Sequence, residues 1–279
     1  MKIYDWYNGP YPARVRIALA EKGLLPGIEF VSVNLWKGEH KQPAFLALNY
    51  SGTLPLLELD DGTLIAECTA ITQYLDTLDG HPTLTGKTPT EQGLIHMMTK
   101  RAEIEFMDAV SVYFHHATPG LGPEVELYQN AEWGNRMGEK AIRGMRYFDG
   151  LLKTRPFVAG DEFSMADIAV LGGMIFAGLV DLPVPEECEA LLAWHGQGQR
   201  APQRSGLARD GGAAAVAQSS GSGKPARHSA VLPDLLEVLA KCRMTSGQNL
   251  TGCHNSGVVH RQIAERQGMH VFGGPEASG

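Results

Sequence analysis

The sequence has few cysteines, no excess of basic charge and no long apolar run. Its four cysteines are scattered over 279 residues, which excludes a dense disulfide framework, and no zinc-binding spacing is present. A net charge of −7 argues against nucleic acid as the main partner. No apolar stretch reaches membrane-spanning length, and the chain starts with a strand-like Lys2-Ile3-Tyr4 instead of a charged leader. We therefore expect a protein of the reducing cytoplasm without a nucleic-acid, membrane or metal partner.

The first 80 residues carry the pattern of a small α/β domain. Lys2–Tyr7 and Glu29–Leu35 have the composition of short strands. Between them, Ala13–Lys22 has apolar residues at helical spacing and is followed by the terminating Gly23. A strand–helix–strand order predicts a right-handed parallel unit. With a later hairpin and helix, it predicts a thioredoxin-like α/β domain over residues 1–80.

Residues 49–71 form the stretch around which the rest is organised. Two short strands, Leu56–Leu59 and Leu64–Ala66, flank Asp60-Asp61-Gly62, a strong hairpin signal because glycine accepts the positive φ of such turns. Before them stands Leu54-Pro55; an X-Pro bond in a tight turn is often cis, and we expect outward-facing Leu54 peptide groups. Glu67-Cys68 opens a helix whose N-terminus favours a carboxylate. The stretch therefore predicts a site for a small acidic peptide.

The second part of the chain has a helical pattern. Residues 81–89 contain two prolines and no periodicity, which predicts a linker. From Thr90 to Thr118 apolar residues recur at helical spacing, and Trp133–Lys153 repeats the pattern. Ser164 and Asp167 predict a capping box at the start of another helix. We expect an all-α domain over residues 90–195.

Residues 196–279 differ in character from everything before them. The segment is rich in Gly, Gln, Ala, Arg and Ser and shows no apolar period at its start, which predicts a disordered tail. The abrupt change is also consistent with a frameshift, after which the chain is out of frame with its relatives. A genuine disordered extension that mediates contacts is the alternative. With the frameshift we expect the tail to be dispensable for binding the peptide.

Several matched elements resemble the glutathione site of the cytosolic glutathione transferase family. They are His40-Lys41, Asn49-x-Ser51-Gly52-Thr53-Leu54-Pro55 and Glu67-Cys68-x-Ala70-Ile71. The resemblance implies a thioredoxin-like α/β N-terminal domain, an all-α C-terminal helical bundle and a homodimer. It also implies glutathione as co-substrate and a small electrophile as substrate. By the same resemblance, the residues that bind glutathione are His40, Lys41, Thr53, Leu54, Pro55, Glu67 and Cys68.

The mouth of the first helix lacks the usual activating side chains. Gly9-Pro10-Tyr11-Pro12 stands where glutaredoxins have a cysteine pair and where many transferases have an activating serine or cysteine, so dithiol chemistry is excluded here. The nearby Tyr4, Tyr7, Asn8 and Tyr11 are interpreted as structural more readily than as catalytic. The pattern resembles the atypical yeast-type and bacterial members, which need only a small residue at this mouth. The helix-mouth residues are Gly9, Tyr11 and Ala13.

A candidate catalytic pair lies in the helical part. Ser111 and His115 are four residues apart and share one face of a helix. By the resemblance, this helix lines the cleft between the domains, and a water held by the pair would accept the thiol proton. The alternative is a hydrogen-bonded pair within a buried face. Side chains expected to give the cleft a mixed aromatic character are Tyr11, Tyr113, His116 and Tyr128.

The sequence therefore predicts a glutathione transferase that conjugates the glutathione thiolate to small electrophiles. Helix N-terminal stabilisation of the thiolate and the Ser111–His115 water would activate the thiol. The missing activators leave an alternative open, a glutathione-binding protein without transferase activity that serves as a carrier or interaction module. A glutaredoxin-type reductase is the weaker third reading.

Overall fold

The structure, a computed structural model, describes residues 1–198. The predictions for the tail from residue 199 onward lie outside the described residues. The predicted disorder is wrong for residues 196–198, which form the end of the helix Glu189–Gly198. None of the helices in residues 1–198 is long and apolar enough to cross a lipid bilayer.

The N-terminal part is built on a four-stranded sheet. Its strands are β1 Lys2–Asp5, β2 Glu29–Ser32, β3 Leu56–Glu58 and β4 Leu64–Ala66, in the spatial order β2-β1-β3-β4. Strands β1 and β2 are parallel, whereas β3 pairs antiparallel with both β1 and β4. The predicted parallel unit and hairpin are both present. Gly62 has a φ of 85° in the hairpin turn, which explains the Asp-Gly signal.

Three helices accompany the sheet: α1 Pro10–Glu21, α2 Pro43–Leu46 and α3 Cys68–Thr77. Helix α1 starts at Pro10 rather than at the predicted Ala13, because proline is well accepted in the first turn, where its missing N–H is not needed. The helices α1 and α3 bury their apolar faces against the sheet. The side chains of this core are Ile3, Val15, Leu19, Leu57, Cys68, Ile71 and Leu75.

The segment between the two parts is held by one buried carboxylate. Asp76, at 0% exposure, accepts hydrogen bonds from the backbone N–H groups of Thr83, Leu84 and Thr85 at 2.9–3.0 Å. Lys22 Nζ lies 3.2 Å from the same carboxylate. The predicted linker is therefore a pinned connection, and it ends at Thr88, which caps the next helix.

The remaining helices form an all-α bundle. Helices α4 Pro89–Ala102 and α5 Asp108–Ala117 are joined without a break by a π-helical turn, Glu103–Met107. The sequence predicts one uninterrupted helix here, so the π turn is a difference. Helices α6 Ala131–Leu152, α7 Met165–Leu179 and α8 Glu189–Gly198 complete the bundle. The predicted capping box is present, since the Ser164 N–H and Oγ both donate to Asp167 Oδ2.

Helices α1 and α7 bring the two parts into close contact. A Cβ atom added at Gly172 of α7 would lie 2.8 Å from Arg14 Cγ of α1, so only glycine allows this approach. Arg14 is buried, and its Nη2 donates to Glu103 Oε1 at 2.9 Å in the π turn. A buried ion pair joins the two parts at this point. These contacts fix α5 beside the mouth of α1.

Candidate functional site

Gly9 caps the mouth of α1 and leaves no room for a larger residue. A Cβ atom here would lie 2.9 Å from the ring of Pro12 and 3.0 Å from the carbonyl of Trp6. Because Pro10 and Pro12 carry no N–H, and the Ala13 N–H donates to the Gly9 carbonyl at 3.0 Å, the first turn offers the Tyr11 N–H to a ligand. Ala13 is buried one turn inside the helix and does not line the mouth.

The loop that leads to this mouth is fixed by Arg16. The buried Arg16 guanidinium donates to the Asp5 carboxylate and to the Tyr7 carbonyl. It also lies 5.0 Å from the centre of the Tyr7 ring. Charge-assisted bonds of this kind hold the turn between β1 and α1 in one conformation.

The residues of the predicted peptide clamp lie in a turn before β3. The Leu54–Pro55 bond is cis. Neither Leu54 peptide group has a backbone hydrogen-bond partner within residues 1–198. Asn49 Nδ2 donates to the Thr53 carbonyl at 2.9 Å and holds the turn from within. An open backbone N–H and C=O in an ordered turn can pair with an extended peptide.

Lys41 is positioned at the same turn. Its Nζ donates to the carbonyls of Ser51 and Gly52 at 3.3 and 3.0 Å. Gly52 has a φ of 58°, and a Cβ there would lie 2.7 Å from the His40 carbonyl, so the close approach depends on glycine. The Lys41 ammonium is exposed and available to an anion.

His40 lies behind Lys41 and is 4% exposed. Burial lowers the pKa of His40 to about 4, with the charge of Lys41 as the next cause. Its Nδ1 is buried without a hydrogen-bond partner. At neutral pH His40 is therefore an uncharged side chain that can donate a hydrogen bond but cannot supply the positive charge for a carboxylate.

The start of α3 is the position predicted to bind an anion. Glu67 precedes the helix with a φ of 71°, a conformation that costs energy for a residue other than glycine and is often found at ligand sites. Its side chain is exposed. The Cys68 thiol is turned away and lies 3.3 Å from the Tyr11 carbonyl, and burial raises its pKa to about 11. Cys68 can thus take part in anion binding through its backbone N–H but not through its thiol.

Tyr11 connects the mouth of α1 to α5. Its hydroxyl donates to Asp108 Oδ1 at 2.7 Å. Burial and Asp108 raise the pKa of Tyr11 above its ordinary range, whereas a hydrogen bond with Ser111 lowers it. The hydroxyl proton is therefore committed to Asp108, and Ser111 lies within hydrogen-bonding reach of the Tyr11 oxygen. Asp108 is missing from the predicted site, although it lies three residues before Ser111 on the same helical face.

His115 lies one turn further along α5 and has its own carboxylate partner. Its Nδ1 is 2.7 Å from Glu126 Oε1, and Glu126 belongs to the loop after α5. The charges of His115 and Glu126 both influence the pKa of His40, so the three side chains are neighbours. Glu126 is not predicted from the sequence, because no spacing in this Pro- and Gly-containing loop indicates where its side chain goes.

The aromatic residues of the expected cleft separate into two groups. His116 and Tyr128 contact each other edge to face, with ring centres 6.2 Å apart, and Tyr128 is 72% exposed. Tyr113 instead packs against α6, where a Cβ at Gly138 would touch its ring at 2.9 Å. Tyr113 is thus part of the packing between α5 and α6 rather than of an open cleft.

Proteins of known family resemble this chain in sequence and in fold. Residues 8–78 match the family described as glutathione S-transferase, N-terminal domain. The chain is 71% identical to glutathione S-transferase 2 of Saccharomyces cerevisiae over 202 residues, which is 72% of this chain and 87% of that protein.

Two crystal structures share its fold. Gtt2 from Saccharomyces cerevisiae matches with a TM-score of 0.72 and 71% identity, over 72% of this chain and 97% of the other. A glutathione S-transferase domain-containing protein of Marinobacter aquaeolei matches with a TM-score of 0.71 and 48% identity, over 72% of this chain and 98% of the other. The predicted fold class, a thioredoxin-like domain followed by a helical bundle, is confirmed.

Proposed function

This chain belongs to the glutathione S-transferase family, and we propose that it conjugates the glutathione thiolate to small electrophiles with the help of a water between Ser111 and His115. Glutathione is its co-substrate. The observation that supports this proposal best is that α5 lies opposite the predicted glutathione site. The face of α5 that bears Ser111 and His115 lies against the mouth of α1 and the loop of His40, as the contacts of Tyr11 and the neighbours of His40 indicate.

Glutathione fits the polar groups of the N-terminal part. The open Leu54 peptide pairs with its cysteinyl backbone, with Thr53 and Pro55 shaping the turn. The γ-glutamyl carboxylate takes the N-terminus of α3 at the Cys68 N–H, and Glu67 holds the ammonium. Lys41 provides the charge for the glycine carboxylate, and the uncharged His40 adds a hydrogen bond. The thiol then lies at the mouth of α1.

At this mouth the protein must ionise the thiol without an activating side chain. A free thiol of this kind has a pKa of about 8.5, so only a few per cent is thiolate at neutral pH. The positive end of α1 and the Tyr11 N–H favour the anion. The Tyr11 hydroxyl does not serve as the activator, because its proton is donated to Asp108.

The thiol proton needs an acceptor on the side of the cleft that α5 forms. Ser111 and His115 share the face of α5, and a water bound between them takes the proton from sulfur and passes it to the imidazole. The thiolate electron pair then forms the bond to the electrophilic carbon. A leaving group departs with its own electron pair, or, in an addition, the resulting anion takes a proton back.

Turnover of a chloro-dinitrobenzene electrophile, with glutathione affinity from isothermal titration, tests this proposal. We expect Ser111→Ala and His115→Ala to bind glutathione and to lose a large part of the about 10²–10⁴-fold that general-base catalysis provides. His116→Ala is the matched control and should leave the thiol step unchanged. Wild-type protein that binds glutathione without turnover would instead support a carrier or interaction module. Full activity of His115→Ala would exclude the water mechanism.

We infer that the enzyme is a homodimer. A stripe of apolar side chains at helical spacing is exposed on α4 and the π turn, with Leu94, Met97 and Ile104 each 41–46% accessible. Burial of this stripe in a second copy would remove apolar surface from water. Sedimentation equilibrium tests it: Leu94→Glu should weaken the dimer, and Leu179→Glu, an exposed leucine on α7, should not.

Location and domain organisation complete the proposal. Cys68 and Cys188, the cysteines within residues 1–198, are free and buried, which supports the reducing cytoplasm as the place of action.

In the proposed domain organisation, residues 1–80 bind glutathione and residues 81–89 link the domains. Residues 90–195 form the side of the cleft that binds the electrophile. Residues 196–279 are a tail that glutathione binding does not need.

A further inference from the structure

Glu126 holds His115 in a way that determines which ring nitrogen carries a proton. A carboxylate can only accept hydrogen bonds, so the 2.7 Å contact places a proton on His115 Nδ1. In the neutral ring, Nε2 then carries the lone pair. This is the tautomer that a proton acceptor needs on its free side.

The loop after α5 is folded around this carboxylate. The Leu121 N–H also donates to Glu126 Oε1, at 2.8 Å, and the Glu126 side chain is only 10% exposed. Gly120 has a φ of 57°, and a Cβ there would lie 2.4 Å from Glu126 Oε1. A glycine in a left-handed conformation thus makes room for the carboxylate beside the ring.

The backbone and the ring of His115 each make a further contact. Gln129 Nε2 donates to the His115 carbonyl at 2.7 Å, and the Phe114 ring lies edge to face at 4.9 Å from the His115 ring. His40, on the loop of the N-terminal part, is a further titratable group near the pair, and it is uncharged at neutral pH. Glu126 is the carboxylate that contacts the His115 ring.

We propose that Glu126 is a positioning residue that fixes the tautomer of His115 and stabilises the imidazolium once the ring has taken the thiol proton. This inference rests on the proposed role of His115 in thiol activation. The carboxylate does not itself take the proton: the proton moves from sulfur to the water and then to His115 Nε2. The resulting imidazolium keeps its Nδ1–H on Glu126, and the two side chains form an ion pair.

Glu126→Gln removes the charge and keeps the shape, and Glu124→Gln is the matched control, since Glu124 is exposed on the same loop. We expect Glu126→Gln to lower kcat at least about tenfold, a part of the general-base contribution, with glutathione affinity unchanged. Equal kcat values for the two glutamine variants would overturn the inference.

A double-mutant cycle separates positioning from mere loop stability. In a His115→Ala background, Glu126→Gln should have no further effect on kcat, because Glu126 acts through the ring. A further loss by the same factor would mean that the loop, not the imidazole, needs the carboxylate. If His115→Ala is fully active, the proposed function fails and this inference with it; if only Glu126→Gln is fully active, the inference alone fails.

The tautomer can be read directly in the wild-type protein, and a variant is needed only to assign the signal. Two-bond ¹H–¹⁵N correlation spectra distinguish the two neutral tautomers of histidine, and His115→Ala assigns the signal. We expect His115 to be protonated at Nδ1 at a pH where it is neutral. A ring protonated at Nε2 would overturn the inference.

Discussion

Replacement of Asp76 by Asn removes the anion that pins the connection between the two parts. The carboxylate accepts five hydrogen bonds from Thr83, Leu84 and Thr85. It also pairs with Lys22, whose side chain is 5% exposed. An amide keeps the volume of the carboxylate. One of the two carboxylate oxygens is replaced, however, by an NH₂ group, which donates hydrogen bonds instead of accepting them.

The loss of unfolding free energy in Asp76→Asn depends on which hydrogen-bond donors lose their acceptor. The amide oxygen is best placed at Oδ2, where three donors meet, so the NH₂ group faces the Thr83 N–H and Lys22 Nζ. One buried orphan N–H costs about 1–3 kcal/mol. Removing one partner of a buried ion pair costs about 3–5 kcal/mol, of which Asp79, 3.1 Å from Lys22 Nζ, offsets a part. We expect a loss of about 3–5 kcal/mol, or roughly 6–20 °C in Tm.

The effect should also depend on pH. Burial on its own would raise the pKa of Asp76, but the hydrogen bonds from Thr83, Thr85 and Leu84 outweigh it and hold the pKa below its ordinary value of 3.8. The unfolded chain therefore binds the proton first as the pH falls. The stabilisation is complete above about pH 4 and is lost as the pH drops through the folded pKa. The difference between wild type and Asp76→Asn should shrink under acid conditions.

Urea unfolding of the full chain at pH 7 and pH 3.5 measures both effects. Asp79→Asn is the control, because Asp79 also contacts Lys22 but its side chain is 53% exposed. If the two asparagine variants lose equal stability at pH 7, the pinned connection is not a major source of stability. If the wild-type advantage grows towards pH 3.5, the sign of the pKa shift is wrong.

The remaining predictions concern the glutathione site and the tail. Glu67→Ala should weaken glutathione binding by about 1.5 kcal/mol, roughly tenfold in Kd, without loss of folding, as titration calorimetry would show. Tyr11→Phe should lower turnover less than His115→Ala does, and complete loss in Tyr11→Phe would refute the water mechanism. Because the pKa of His40 is about 4 in the folded chain and about 6.5 when unfolded, its contribution to stability should fall from pH 6.5 to pH 4; urea titrations of His40→Gln should show a flatter pH dependence. A chain ended after Gly198 should bind glutathione like the full chain, and loss of binding would show that the tail is needed.

Local chemistry in the sequence is sufficient to predict the main backbone features of the N-terminal part. The Asp-Gly turn, the proline before β3 and the start of α3 are each set by residues within a few positions of one another. Their backbone requirements, a positive φ or a missing N–H, are met by Gly62 and Pro55 themselves. The prediction was less accurate where two signals competed: the prolines at α1 fit a helix start as well as a preceding turn, and the helix begins at Pro10.

Contacts between distant residues explain what sequence reasoning missed. Tyr11 and Asp108 are 97 positions apart, and Arg14 and Glu103 are 89 apart, so no spacing rule connects them. The close packing of α7 against Arg14 of α1 also depends on a distant residue, Gly172. Such pairs follow from how helices pack, and packing depends on the whole set of surfaces rather than on a local motif.

Helices α4 and α5 form one continuous helix through the π turn. The π turn determines which of its side chains face the N-terminal part. The Asp108 N–H donates to the Glu103 carbonyl, the i to i+5 bond of a π turn. In an α-helix, two residues five positions apart lie about 140° from one another around the axis, whereas a π turn returns them close to the same face. Glu103 and Asp108 both contact α1, through Arg14 and Tyr11, which requires this shared face. Ser111 and His115, three and seven residues after Asp108, continue along the same face, so the π turn sets the register of the proposed catalytic wall against the mouth of α1.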